Sequence, residues 1–504
     1  MKRLTTCLVA LVLALSTVVV LLAAPPNPGV GNTNFTVQNL DVTDAATVYA
    51  YYVSLTGVQS ATKVKIIPPQ GSDGFPVDES GLPDNWLGSV YVEADRQMVA
   101  FAQLLWQNGT PGDGTAADGK TAGAYNGFQT GLPKLYFPSL ASREPQFSRI
   151  SVQGASVPVD GGGIPFSIKL YDRDGVLSYT ITDTVLMGAQ KTYSLSPDDM
   201  AVLGGDWLGS AVIEAVDGVS PLAAVATMHW RLYAASYSAV PHGSTKIYLP
   251  SATRRVPSGQ TLLLDAWLQY TGVVVQNLDT LTDAVVTVTW YDRLGNQLYQ
   301  FVDSIPANSS HGYNTRFVDE SQVPNASKAT FPIALGNDWN GSVVIESNGP
   351  EIIAVANLQW TEAHPAKAAA SAYTSGVEGT PRVYLPATFR RIDAGTWLQY
   401  TGAIVQNIGA TACNDYNVSW YIRGQTDPVL TYTDSLAPHI AHGYNTRFGS
   451  AGSDVPAGAD VTELSDDFRG AMIISAPGCE LLAIHNTVWP AWTDSTTYNG
   501  LGGH

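Results

Sequence analysis

One heptapeptide, His-Gly-Tyr-Asn-Thr-Arg-Phe, occurs twice in the chain, at 311–317 and 442–448. It combines an imidazole, a phenol, an amide and a guanidinium, whose forked donors match carboxylate and phosphate geometry. One interpretation is a polar loop that binds a glycan or a neighbouring subunit. The other is a strand entry in which the aromatic rings pack while Asn and Arg satisfy loop carbonyls. The candidate binding residues are His311, Tyr313, Asn314, Arg316, His442, Tyr444, Asn445 and Arg447, together with Trp492 near the C-terminus.

Other residue patterns argue against a catalyst or a metalloprotein. The eight His have no HxH or HExxH spacing, so zinc is not expected. Asp172, Asp174 and Gly175 match part of a calcium loop but lack its distal Glu, and we predict a turn there. Calcium at a domain junction stays open, and no other cofactor is expected. The chain contains no nucleophile elbow and no phosphate-binding loop, so we expect no enzyme activity.

The composition excludes one class of partner. The formal net charge is −17, and only 14% of the residues are charged. An acidic chain is repelled by the phosphates of nucleic acid and by anionic lipid headgroups. We therefore expect no nucleic-acid partner.

The N-terminus has the pattern of a secretory leader. Lys2 and Arg3 precede an apolar run at 8–24, which a proline-rich segment follows. We predict a signal peptide at 1–24 and an extracellular or cell-surface location, with membrane contact only if the leader stays uncleaved as an anchor. Because Cys7 leaves with the leader, Cys413 is predicted to pair with Cys479 by elimination.

Long-range repetition positions these residues. The segment WLQYTGVVVQN at 267–277 returns as WLQYTGAIVQN at 397–407, an offset of 397 − 267 = 130 residues. Eleven of the twelve Trp fall on repeat columns, which favours core packing over ligand stacking. Alternating apolar residues, as in VTVTWYD from Val286, predict half-buried strands, and Asp-Arg-x-Gly segments predict hairpin turns. The fold class is therefore all-β, with four tandem Ig-like antiparallel β-sandwiches after the signal segment, at 25–130, 131–243, 244–379 and 380–504.

The first unit differs from the other three. Units 2 to 4 open on a basic residue, an apolar residue, Tyr, an apolar residue and Pro, beginning at Lys134, Lys246 and Arg382. Unit 1 has the proline-rich segment in that place. Since an unpaired sheet edge invites another strand, we predict that a strand from a neighbouring copy fills this edge and builds filaments or a lattice.

The order of these signposts resembles the tandem Ig-like repeats of secreted bacterial surface proteins. Those signposts are Tyr-Leu-Pro, a strand ending in Val-Gln-Asn, Gly-Ser before the next strand, and an apolar run. The resemblance covers nearly all of the chain after the leader, and implies a stalk, coat or filament subunit that contacts its own copies or other surface proteins. A carbohydrate-binding adhesin that contacts extracellular polysaccharide, or a non-catalytic accessory subunit of a secreted hydrolase, is the alternative.

Overall fold

The protein is all-β. The computed structural model describes residues 30–109, 120–156, 162–230, 233–256, 268–316, 322–360, 369–447, 461–490 and 494–502. Within these ranges the chain forms 32 strands and a few single-turn 3-10 helices, with no α-helix. The fold class is therefore confirmed, whereas the predicted leader and Trp492 lie outside the described residues.

Unit 1 consists of two separate sheets. Its strands are β1 (Val30–Asn39), β2 (Ala46–Ser54), β3 (Gln59–Ile67), β4 (Ser72–Phe75), β5 (Gly88–Ala94), β6 (Met98–Gln107) and β7 (Thr121–Asn126). One sheet has the order β4-β1-β6-β7, and the other has the order β3-β2-β5.

Unit 2 has one strand more than unit 1. Its strands are β8 (Lys134–Arg143), β9 (Gln146–Gly154), β10 (Gly163–Asp172), β11 (Leu177–Leu186), β12 (Gln190–Ser194), β13 (Asp206–Ala215), β14 (Leu222–His229) and β15 (Ala234–Ser238). The order β11-β10-β13-β8 forms one layer, and β12-β9-β14-β15 forms the other. The layers join where β8 turns into β9, at the pairs Ser142–Phe147 and Arg143–Gln146, and by a bridge between Tyr136 and Val240.

Units 3 and 4 repeat this order. Unit 3 contains β16 (Lys246–Arg255), β17 (Gln269–Asn277), β18 (Ala284–Asp292), β19 (Gln297–Ile305), β20 (Ser310–Asn314), β21 (Asp338–Ser347), β22 (Ile352–Trp360) and β23 (Ala369–Thr374). Unit 4 contains β24 (Arg382–Asp393), β25 (Thr396–Asn407), β26 (Cys413–Ile422), β27 (Pro428–Leu436), β28 (Ala441–Asn445), β29 (Asp467–Ser475), β30 (Leu481–Trp489), β31 (Asp494–Asn499) and β32 (Leu501–Gly502). We call β8, β16 and β24 the opening strands.

The alternation in the sequence sets the faces of the strands. In β18, Val286, Val288 and Trp290 are fully buried, whereas Val285 is 40% exposed. Side chains of a strand point alternately to its two faces, so one face of β18 fills the space between the layers. The same face of the neighbouring strands completes a single large core in unit 3.

The repeated Val-Gln-Asn has a structural cause. The Asn277 amide donates to the carbonyl oxygens of Thr282, Ile305 and Pro306, at 2.8, 3.0 and 3.2 Å. Asn39 and Asn407 form equivalent bonds in units 1 and 4. Thr282 and Pro306 lie in connecting segments and Ile305 is the last residue of β19, so the amide holds the end of that strand to the neighbouring turns and satisfies their carbonyl acceptors.

The predicted disulfide is confirmed. Cys413 is bonded to Cys479, with the two Cα atoms 5.6 Å apart. The bond ties the first residue of β26 to the turn before β30. In the chain-entropy model a loop of this size contributes about 4 kcal/mol to the free energy of unfolding of unit 4.

The four units close into a ring. The last strands of the units, β7, β15, β23 and β31, pack against one another in that order, and β31 returns to β7. Ser238 Oγ donates to the Asn126 carbonyl at 2.8 Å, and the Asn126 amide donates to the Asn499 carbonyl at 3.0 Å. The Asn499 amide in turn donates to the Thr374 carbonyl at 2.6 Å. Unit 1 is therefore in direct contact with unit 4.

Small side chains allow this close approach. The central strands read TAGAYN, AASYS, AASAYT and DSTTYN, and all of their Ala residues and Ser236, Ser371 and Ser495 are buried. Strands with small residues pack with their backbones near one another. The four units are therefore not in a linear row within the described chain, because a linear row would leave units 1 and 4 apart.

Candidate functional site

The first four residues of the first heptapeptide copy, 311–314, lie in β20 at the edge of its sheet beside β17. His311 Nδ1 lies 2.7 Å from Asp303 Oδ2, and the Tyr313 hydroxyl donates to the same oxygen at 2.9 Å. Burial, together with the nearby Asp303 carboxylate, raises the pKa of Tyr313 well above its usual value. The imidazole and the phenol therefore both contact a carboxylate of their own unit.

The second copy, in β28, forms the same network. Asp434 Oδ2 lies 2.7 Å from His442 Nδ1 and accepts from the hydroxyls of Tyr444 and Tyr416 at 2.6 and 3.0 Å. Burial alone would raise the pKa of Asp434. The hydrogen bonds from His442, Tyr444 and the Ser435 backbone outweigh burial and hold that pKa below its usual value.

Units 1 and 2 have an ion pair at the same place. In unit 2, Lys191 Nζ lies 2.6 Å from Asp183 Oδ1, and Tyr193 donates to Asp183 Oδ2 at 2.9 Å. In unit 1 the charges are exchanged, with Lys65 Nζ 3.5 Å from Asp73 Oδ2. Each unit thus keeps one charged or titratable pair at this position, which favours the structural interpretation of His311 and His442. The sequence analysis missed the carboxylates, although a charged residue near the end of the preceding strand in each unit was the available signal.

The asparagines of the heptapeptide close a turn. Asn314 Oδ1 accepts from the backbone N–H of Arg316 at 2.7 Å, and Asn445 Oδ1 accepts from that of Arg447 at 2.8 Å. Such a side-chain acceptor two residues before the donor is an Asx turn, which fixes the end of a strand. These amides therefore have a local structural role.

The arginines of the heptapeptide lie over aromatic rings. The Arg316 guanidinium carbon is 5.4 Å from the centre of the Tyr270 ring, and that of Arg447 is 5.1 Å from the Tyr400 ring and 5.8 Å from the Trp397 ring. Cation–π contacts of this kind pre-position a guanidinium at a surface. Glycan or subunit binding at these two arginines stays a prediction, and Trp492 lies outside the described residues.

The described residues contain neither a cluster of metal-ligating side chains nor a helix that could cross a membrane. No group of three or more His, Cys, Asp or Glu side chains converges in that part of the chain. Asp172 Oδ1 accepts from the backbone N–H of Asp174 and Val176 at 3.0 and 2.9 Å, so the segment forms the predicted turn. No helix in the same ranges is long and apolar enough to cross a membrane.

A different candidate site lies at β5 of unit 1. In unit 2 the corresponding strand, β13, pairs with β10 on one side and with the opening strand β8 on the other. The same holds for β21 and β29 in units 3 and 4. Strand β5 pairs with β2, and among the described residues no strand occupies its other side. We call the side of Gly88–Ala94 that no described strand pairs the acceptor edge. At its first residue the Gly88 carbonyl accepts from the Gln190 amide of unit 2 at 2.8 Å.

The missing strand leaves the core of unit 1 partly open. Val90 and Val92 in β5 are half-buried, whereas the corresponding Val343 and Ile345 in β21 are fully buried. The opening strand β16 supplies Ile247 and Leu249 to the unit 3 core, and both are fully buried as well. Among the described residues, unit 1 therefore lacks the two opening-strand side chains that cover this part of the core in units 2 to 4. We call the uncovered face of Val90 and Val92 the apolar cleft.

A tyrosine marks the other side of this cleft. In unit 2 the Tyr237 hydroxyl donates to the Ser139 carbonyl of the opening strand at 2.6 Å, and Tyr373 contacts Ser251 in the same way. The corresponding residue of unit 1 is Tyr125, whose hydroxyl makes no hydrogen bond to the described residues. Burial raises the pKa of Tyr125 to about 12, so the group stays a neutral donor.

A carboxylate lies at one end of the acceptor edge. Glu214 Oε1 accepts from Lys134 Nζ at 2.9 Å in unit 2, and Glu346 forms the same ion pair with Lys246 at 3.0 Å in unit 3. The corresponding residue of unit 1 is Glu93, which is exposed and has no ion pair with the described residues. The acceptor edge therefore combines backbone donors and acceptors, an apolar cleft and a carboxylate.

Comparison with known proteins gives only weak matches. No protein-family model matches the chain, and no curated protein matches it. Among solved structures, the major pilin of Streptococcus pyogenes aligns with 70% of this chain and 98% of its own, at 8% identity and a TM-score of 0.14. A serine-rich repeat adhesion glycoprotein of Streptococcus agalactiae aligns with 56% of this chain and 89% of its own, at 10% identity and a TM-score of 0.12. Neither likeness contributes to the function proposed below.

Proposed function

We propose that the protein is a non-catalytic structural subunit of a cell-surface or extracellular assembly, joined to other polypeptides by strand addition at the acceptor edge. The observation that carries the proposal is the half-buried β5, whose counterparts β13, β21 and β29 are covered by opening strands. An exposed sheet edge above an apolar cleft binds an extended segment through backbone hydrogen bonds and side-chain pockets.

The closed ring supports this role. Because the four units contact one another around the central strands, the ring holds unit 1 in place although its own core is incomplete. Binding of a strand then adds the missing part of a sandwich without rearranging the other units. A ring of four units with one unoccupied strand position, beside β5, is suited to the attachment of another chain.

The test is the mass of the native complex isolated from the cells that make the protein. We expect wild type to elute in a complex heavier than the single chain. Val92→Lys places a charge in the apolar cleft and should release the chain as a monomer. Val64→Lys is the matched control, because Val64 lies in the same unit and is 53% exposed.

Two results would overturn the proposal. One is a wild-type protein that is monomeric in its native source. The other is a Val92→Lys variant that is folded and still elutes with the heavy complex, because the acceptor edge would then take no part in assembly.

A further inference from the structure

The internal repeats specify what the acceptor edge binds. We propose that it accepts a strand from a different polypeptide, and that this strand carries the sequence pattern of the opening strands: basic, apolar, Tyr, apolar, Pro. The inference rests on the proposed function and adds the identity of the partner's segment. Units 2 to 4 serve as three examples of the same cleft with its strand in place.

Side-chain pairing in those units defines each position of the pattern. In unit 3, Lys246 lies opposite Glu346, Ile247 opposite Ile345, and Leu249 opposite Val343. The corresponding residues of the acceptor edge are Glu93, Val92 and Val90. A bound strand therefore places its basic residue opposite Glu93 and its two apolar residues over the apolar cleft.

The proline of the pattern lies at an irregularity in the pairing. The register shifts between Leu249 and Ala252 in β16, and the equivalent shift occurs in β8 and β24. Proline lacks a backbone donor and is tolerated at such bulges. The residue after the proline is Ser251 in unit 3. Its backbone contacts Tyr373, which corresponds to Tyr237 of unit 2. In unit 1 the same position of the bound strand would meet the Tyr125 hydroxyl.

A second copy of this chain is not a ready source of the strand. The pattern occurs in the sequence at Lys134, Lys246 and Arg382, and nowhere else. All three segments are already paired within their own units, as β8, β16 and β24. A copy that donated one of them would open a complete core, and for this reason we propose a different donor chain. Strand donation by a neighbouring copy stays a prediction.

The apolar run at 8–24 is the competing occupant within this chain. In units 2 to 4 the opening strand comes directly before β9, β17 or β25 in the chain. The residues before Val30 stand in the same order relative to β1. The run contains no basic residue and no Tyr, so it offers neither a partner for Glu93 nor the pattern of β8, β16 and β24. Charge complementarity therefore favours the separate donor chain.

The experiment measures binding of a synthetic peptide with the sequence of residues 246–255, KIYLPSATRR, to the full chain and to a chain that begins at Pro25. A control peptide carries Ser in place of the Ile and the Leu, which keeps the charges and the proline. We expect the first peptide to bind both chains and the control peptide to bind at least tenfold more weakly. Glu93→Lys should weaken binding of the first peptide at least tenfold, whereas Glu346→Lys, in the already paired unit 3, should leave it unchanged.

Each other outcome contradicts the inference in a distinct way. Binding only to the chain that begins at Pro25 would show that residues before Pro25 fill the acceptor edge. Equal binding of both peptides, or equal binding to wild type and Glu93→Lys, would show that the acceptor edge does not recognise the sequence pattern. If no peptide binds while Val92→Lys still dissociates the native complex, the proposed sequence pattern of the partner strand is wrong and the proposed function stands. If Val92→Lys also leaves the complex intact, both are wrong.

Discussion

Units 1 and 3 have the same strand order but differ in one element. Strand β21 of unit 3 lies between β18 and the opening strand β16, and its apolar side chains are buried. Among the described residues, strand β5 of unit 1 pairs with β2 alone, and its Val90 and Val92 are half-buried. The difference shows what an opening strand provides: two core side chains, a basic partner for a glutamate, and a backbone contact for a buried tyrosine.

The largest expected contrast concerns the core beside the missing strand. Ile345→Ala removes a fully buried side chain from unit 3 and should lower its free energy of unfolding by about 2–5 kcal/mol. Val92→Ala at the corresponding place in unit 1 should cost about 1 kcal/mol or less, because that side chain is only half-buried. Urea unfolding followed by hydrogen exchange of each unit measures both values. Equal losses in the two units would contradict an open cleft.

A pH-dependent contrast is expected in unit 4. His485 in β30 is fully buried where units 1 to 3 have Ala102, Ala226 and Ala356, and burial lowers its pKa to about 3. The unfolded chain binds a proton near pH 6.5 and the folded chain does not, so stability falls as the pH drops below 6.5 and continues to fall towards pH 3. The loss between pH 6.5 and pH 5 is about 2 kcal/mol.

The variant His485→Ala isolates that effect. It restores the residue of the other units and should remove the extra pH dependence of unit 4, although the smaller side chain lowers stability at neutral pH. Urea midpoints at pH 7.5 and pH 5 measure the slope. Parallel losses in wild type and variant would show that His485 titrates normally.

A smaller contrast separates the two tyrosines at the cleft. Tyr237→Phe leaves the buried backbone of Ser139 without its hydroxyl partner and should cost unit 2 about 1–2 kcal/mol. Tyr125→Phe removes a hydroxyl that bonds to none of the described residues, so its cost should be below about 0.5 kcal/mol. Thermal unfolding of both variants tests this. A large loss for Tyr125→Phe would mean that its hydroxyl already has a partner in the free protein.

The smallest contrast concerns the glutamates. Glu346→Gln removes an exposed ion pair with Lys246 and should cost at most about 1 kcal/mol, less at high salt. Glu93→Gln should not change stability, because Glu93 has no ion pair with the described residues. A salt-sensitive loss of stability in Glu93→Gln would reveal a cation that already occupies the acceptor edge.

The sequence predicted the elements better than their assembly. The alternation of Val286, Val288 and Trp290 was sufficient to predict a strand, since burial on one face acts on each strand locally. The lack of an opening pattern in unit 1 likewise indicated the free edge. Ring closure was missed, because the central strands TAGAYN and DSTTYN share little beyond small residues and a final Tyr-Asn. Their contact also joins residues far apart in the chain.

The candidate site was predicted only in part. The heptapeptide attracted a binding interpretation because His311 and Tyr313 are polar and repeated. Their partner Asp303 lies on the preceding strand, and only the pairing of strands brings the three side chains together. Each unit has a charged residue at the corresponding place in the sequence. Which side chains that residue contacts depends on the strand register, and short-range sequence patterns do not fix the register.

The most direct measurement is amide hydrogen exchange of the free, full-length protein at β5 and β21. Every second amide of β5 faces the acceptor edge, whereas the amides of β21 are bonded on both sides. We predict that segment 88–94 exchanges orders of magnitude faster than segment 338–347, and that the peptide KIYLPSATRR slows segment 88–94 alone. Equally slow exchange of the two segments in the free protein would contradict the account, because the edge of unit 1 would then already be covered.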